Sequence, residues 1–110
     1  MNEELIEKII KFRDDRNWKQ FHNGKDLAIS LNLEASELLE IFQWSGTDLM
    51  CMDKIEKVKE ELADIFIYGV LIADRYNLNI EDIIEKKLIL NNEHYPADKV
   101  RGKSKKYNKY

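Results

Sequence analysis

The sequence is poor in the residues that break helices or cross-link chains. It has one proline and four glycines among 110 residues, so little in it stops a helix once started. Cys51 is the only cysteine, which rules out an intrachain disulfide. Two histidines occur, His22 and His94, and neither stands three residues after a glutamate. The E-x-x-H pattern of a ferritin-like di-iron centre is therefore missing. No apolar run approaches the ~20 residues needed to cross a bilayer. The opening Met1-Asn2-Glu3-Glu4 is acidic where a signal peptide is basic. A cytoplasmic location is expected. No alternating strand pattern, repeat or low-complexity tract is present.

What is abundant is charge, at 35% of residues with a net charge of −3, a balance that does not suit a protein coating nucleic acid. From Ala97 to Tyr110 there are six basic residues and one acid, Asp98. The body is correspondingly acidic and suited to cations, whereas the tail is suited to phosphates or to solvent. The reading is one helical domain over residues 1–96 and a basic tail over 97–110.

Helical spacing predicts an all-α chain, a four-helix bundle, with helices at about Asn2–Arg16, Lys25–Gln43, Asp53–Tyr76 and Ile80–Glu93. Asn2 can cap the first, and Glu3 and Glu4 suit its positive end. Leu27, Leu31, Leu38 and Phe42 give the second an apolar side. The third is the most apolar, with Leu62, Ile65, Phe66, Val70, Leu71 and Ile72 as core candidates. Gly69 in its middle costs about 1 kcal/mol against alanine, which suggests a close helix approach. Ile80, Ile83, Ile84 and Leu88 mark the inner side of the fourth, which Tyr95-Pro96 ends.

Two acidic pairs lie on these helices. Glu34-x-x-Glu37 is midway along the second and Glu61-x-x-Asp64 is in the third. Acids three apart share a helix face. Asp64 is set among Leu62, Ala63, Ile65, Phe66 and Ile67, where an unpaired charge is costly. Two antiparallel helices could join the pairs. Four close carboxylates repel one another, and a hard divalent cation resolves the conflict. All-oxygen ligands suit magnesium or manganese. The plainer alternative is acids in solvent, paired with Lys57 or Lys59. Trp18 and Trp44 stand at the two ends of the second-helix region, as packing residues or as stacking platforms for a nucleobase. Tyr68, four after Asp64, lies on the acids' face.

Taken together, Trp18-x-x-Phe21-His22, Leu27-Ala28-x-x-Leu31 and Glu34-x-x-Glu37-Leu38-x-Glu40-x-Phe42-Gln43-Trp44 resemble the MazG-like nucleotide pyrophosphohydrolases, nearest to their dCTP pyrophosphatase branch. Glu60-Glu61-Leu62-Ala63-Asp64-Ile65-x-Ile67-Tyr68 and Lys87-x-x-x-Asn91-x-x-x-Tyr95-Pro96 follow in the same order. The resemblance implies an all-α fold that assembles as homodimers or homotetramers through helix faces. It implies magnesium-dependent hydrolysis of a nucleoside triphosphate, dCTP-like, to monophosphate and pyrophosphate. Glu34, Glu37, Glu61 and Asp64 take the place of the metal-binding acids, with Glu37 and Glu34 as catalytic candidates and Glu37 as the base. Trp18, His22, Trp44 and Tyr68 take the place of the base and sugar pocket. Lys87 and Asn91 fall on the phosphate side, joined by Lys25 and, in the tail, Lys106. In the run Asn23-Gly24-Lys25-Asp26, Gly24 stands where the family often has proline and Asp26 where it often has asparagine. The alternatives are a pyrophosphohydrolase for dUTP, phosphoribosyl-ATP or modified nucleotides, and a non-catalytic helical module.

Overall fold

A computed structural model describes residues Met1–Ser104, so Lys106 lies outside the described residues. The described chain is all-helical: α1 (Glu3–Asp15), α2 (Gly24–Glu40), α3 (Ile55–Arg75), α4 (Ile80–His94) and the short α5 (Ala97–Val100). No described helix is long and apolar enough to cross a membrane.

Side-chain caps and left-handed turns set the boundaries. Asn2 Oδ1 accepts from Leu5 N–H at 2.8 Å and Asn23 Oδ1 from Asp26 N–H at 2.8 Å, starting α1 and α2. α1 and α3 end alike. Asn17 and Asn77 take left-handed φ angles of 54° and 57°. Beyond them, Trp18 N–H reaches Arg13 O and Leu78 N–H reaches Ala73 O. Each is a Schellman turn, in which asparagine tolerates the conformation that glycine usually supplies.

The chain divides into two compact units, Met1–Leu78 and the part from Asn79 onward. In the first, α3 packs against both α1 and α2. The α2–α3 connection is pinned by Asp48, whose Oδ1 accepts from the Met50 and Cys51 amides, and by Cys51 Sγ, which points at Ile41 O. Leu27, Ile41, Cys51, Val70, Leu71 and Ala73 are buried.

The inner face of α3 differs from the apolar reading. Val70 and Leu71 are buried and Ile65 and Ile72 half-buried, but Leu62 and Phe66 are exposed. Glu61 occupies the inward position instead, at 2% exposure. The apolar count along α3 exceeds what one face can hold, so the face turned inward is not the most hydrophobic one. Gly69 marks no close approach, since a β-carbon placed there meets nothing within 4 Å. In the second unit, Ile83, Ile84 and Leu88 of α4 are exposed. The short α5 lies in a stretch that the sequence reading leaves as tail.

Arg13 was not singled out by sequence, although it continues the repeat of Ile6, Ile9 and Ile10. It is 2% exposed. Its Nη1 bonds Asp74 Oδ2 at 2.7 Å and its Nε bonds Asp14 Oδ1 at 2.9 Å. Removing one partner of such a pair strands the other charge, at a cost of about 3 kcal/mol. Arg13→Ala is expected to lower stability by about that amount in denaturant melts. Asp74→Ala should cost less, because Asp14 still pairs with Arg13 Nε.

Candidate functional site

The packing of α2 on α3 sets their acidic faces against each other. One carboxylate oxygen from each of Glu34, Glu61 and Asp64 lies within 4.8 Å of the other two. Magnesium–oxygen bonds of about 2.1 Å put ligands on opposite sides of an ion about 4.2 Å apart, so a small contraction would close the group on one hard cation. Two atoms call for such a partner. Glu34 Oε2 and Glu61 Oε2 are buried and accept no hydrogen bond. A buried acceptor left unpaired costs free energy that a cation would recover. The donor set is all oxygen, which fits magnesium or manganese.

Glu37 is exposed and stands beside this group. The neighbouring carboxyls of Glu61 and Glu34 push its pKa up to about 7. Burial, together with the charges of Asp64 and Glu61, raises the pKa of Glu34. Glu61 goes the other way, held down mainly by Lys57, whose Nζ is 2.7 Å from Glu61 Oε1. The plainer reading of the sequence thus holds in part. Lys57 does pair with an acid of the cluster, while Lys59 pairs with Glu56.

A cavity of about 360 Å³ adjoins the acids, with Asp64 in its wall. Trp18, His22 and Tyr68 line it, joined by Ile9, Phe12 and Arg13 from α1. The helical repeat of Ile9 and Phe12 along α1 is visible in the sequence, but its place in the cavity wall is not. Phe12 and Trp18 meet edge to face at 5.8 Å, and the Arg16 guanidinium covers the Phe12 ring at 3.7 Å. His22 is fixed through its backbone, where Arg75 Nε donates to His22 O at 2.7 Å. Its Nδ1 is buried without a partner. Burial, then the charges of Arg13 and Arg75, lower its pKa, so the ring is neutral at pH 7 and can exchange a hydrogen bond with a ligand.

Other candidates lie elsewhere. Trp44 follows α2, is 88% exposed and does not line the cavity. Among the described residues Trp44 stands four positions beyond the end of α2 at Glu40, away from the cavity that Trp18 lines. Lys25 is exposed in the first turn of α2. Lys87 and Asn91 are one turn apart on α4, in the second unit.

The two sequence departures have local causes. A β-carbon at residue 24 would overlap the Tyr76 hydroxyl, so the tyrosine fills the room a proline ring would need. Asp26 Oδ2 accepts from Asn23 Nδ2 at 2.8 Å, which makes it part of the α2 cap.

Comparison with known proteins identifies the family and the fold. The profile of the MazG-like family matches residues 29–109. dCTP pyrophosphatase 1 of Homo sapiens is 33% identical over 102 residues, spanning 88% of this chain and 60% of that protein. The Mus musculus protein of the same name is 32% identical over the same spans. The chain thus spans about 60% of the length of the curated relatives it matches. Among solved structures, a pyrophosphatase from Archaeoglobus fulgidus shares 37% identity with a TM-score of 0.77, covering 86% of this chain and 91% of that one.

Proposed function

The chain belongs to the MazG-like family, and from that premise we propose that it hydrolyses a nucleoside triphosphate to the monophosphate and pyrophosphate. The proposed cofactor is magnesium, with manganese as a substitute, held by Glu34, Glu61 and Asp64 with Glu37 at the rim. The observation that carries the proposal is Asp64, which belongs both to the acidic group and to the wall of the aromatic cavity. One site can therefore hold a base and keep its phosphates beside the acids.

When bound, the cation offsets charge on the phosphate oxygens. The chain's own residues do the rest. Trp18 and Phe12 offer aromatic faces to the base, and neutral His22 offers Nδ1 to a ring or sugar atom. Glu37 stands beside the group of three and is the proposed group to orient the attacking water and take its proton. Lys25, Lys87, Asn91 and Lys106 are proposed phosphate contacts. Trp18→Ala removes one stacking face worth about 1–3 kcal/mol, so KM should rise roughly tenfold to a hundredfold in steady-state assays with kcat less affected.

The names of the relatives make dCTP the first substrate to test. A panel of dCTP, dUTP, dTTP, ATP, phosphoribosyl-ATP and modified deoxynucleotides, read by pyrophosphate release, is expected to show dCTP turned over fastest. Preference for another member would move the assignment within the family. No release from any would leave a non-catalytic helical module. Self-association belongs to the same proposal, since Ile29 and Leu33 on α2, and Leu62 and Phe66 on α3, form exposed stripes one turn apart. A cytoplasmic location is proposed with it.

A further inference from the structure

Lys57 is placed where helix energetics alone gives little reason for it. It lies in the first turn of α3, at the positive end of the helix dipole, where a cation is disfavoured. It precedes Glu61 by four residues, the weaker order for a helical ion pair. Yet its ammonium reaches inward to Glu61 Oε1 at 2.7 Å, with Glu60 Oε2 at 4.0 Å. Glu61 is almost wholly buried, whereas the Lys57 side chain is 56% exposed and free to swing out. The other oxygen of the same carboxylate, Oε2, is buried and unpartnered. One side of Glu61 thus holds a cation carried by the chain, and the other side is left for a second.

We propose that Lys57 is a tethered counter-cation that fills part of the acidic cluster and competes with the divalent ion for Glu61. The inference rests on the metal-site reading above. The tether orients the Glu61 carboxylate. It also places a positive charge within a few ångströms of the site, which repels an incoming cation. Loading the site requires the ammonium either to leave Oε1 or to tolerate a divalent neighbour. In both cases the apparent affinity of the cluster is lower than its three carboxylates alone would give. Lys57 therefore sets the concentration of free cation at which the protein loads.

The test is Mn²⁺ binding to the full chain by calorimetry, in wild type and in K57M, K57Q and K57R, with helix content checked by circular dichroism. The neutral variants are expected to bind Mn²⁺ about threefold to tenfold more tightly, and K57R like wild type. Equal or weaker binding by folded K57M and K57Q, with wild type saturating normally, overturns the inference and leaves the metal site standing. No saturable binding by wild type removes the metal site itself, and Lys57 with it.

Discussion

Glu34→Gln is expected to stabilise the metal-free chain and to destroy its pyrophosphate release. Glu34 is held among like charges with Oε2 buried and unpaired, and its folded pKa is raised. For a group so shifted, the favourable contribution is complete below the unfolded pKa and disappears as pH rises through the folded one. The wild-type chain therefore bears this cost at pH 8 and is largely relieved of it at pH 4. A glutamine amide has no charge to confine and can donate to its acidic neighbours. Melting temperature should rise by about 2–4 °C at pH 8 and hardly change at pH 4. Activity should fall by at least about a hundredfold, because one of the three oxygen donors for the cation has lost its charge. A residue kept only for structure gives the opposite pattern, with stability and activity falling together.

The second large effect is expected at Glu37. It is exposed and outside the tight group of three, so Glu37→Gln should weaken cation binding by no more than about tenfold while lowering kcat at saturating cation by about a hundredfold to ten-thousandfold. Its pKa of about 7 also links protons to metal. Below pH 7 the carboxyl is increasingly protonated in the metal-free chain, and the cation loses the attraction of that neighbouring charge. Wild type should bind Mn²⁺ about tenfold more weakly at pH 6 than at pH 8 in calorimetry. In Glu37→Gln the difference should largely vanish. Wild-type-level turnover by this variant would take the base role away from Glu37.

The sequence makes the acidic constellation legible because its signal is local. Each pair occupies one helix face by spacing alone, and two packed helices have few ways to present those faces to each other. The Asn2 cap and the stop before Pro96 are legible for the same reason. The rotation of α3 is not. Leu62 and Phe66 look like core residues until the burial of Glu61 turns them outward, and that choice depends on α2 supplying acids opposite. Arg13 was hidden because a charged residue in an apolar repeat reads as an interruption, and its partner Asp74 is 61 positions away. The position of Trp44 depends on where α2 ends, which neighbouring composition blurs. The resemblance supplied Trp18 and His22 for the pocket, but the α1 wall formed by Ile9, Phe12 and Arg13 is a tertiary fact.

The claim beneath all of this is that Glu34, Glu61 and Asp64 enclose one divalent ion at the edge of the aromatic cavity. Anomalous diffraction from crystals grown with Mn²⁺ tests it most directly. A peak within bonding distance of all three carboxylates is expected. A protein that needs the ion for turnover but shows its peak away from these residues would contradict it.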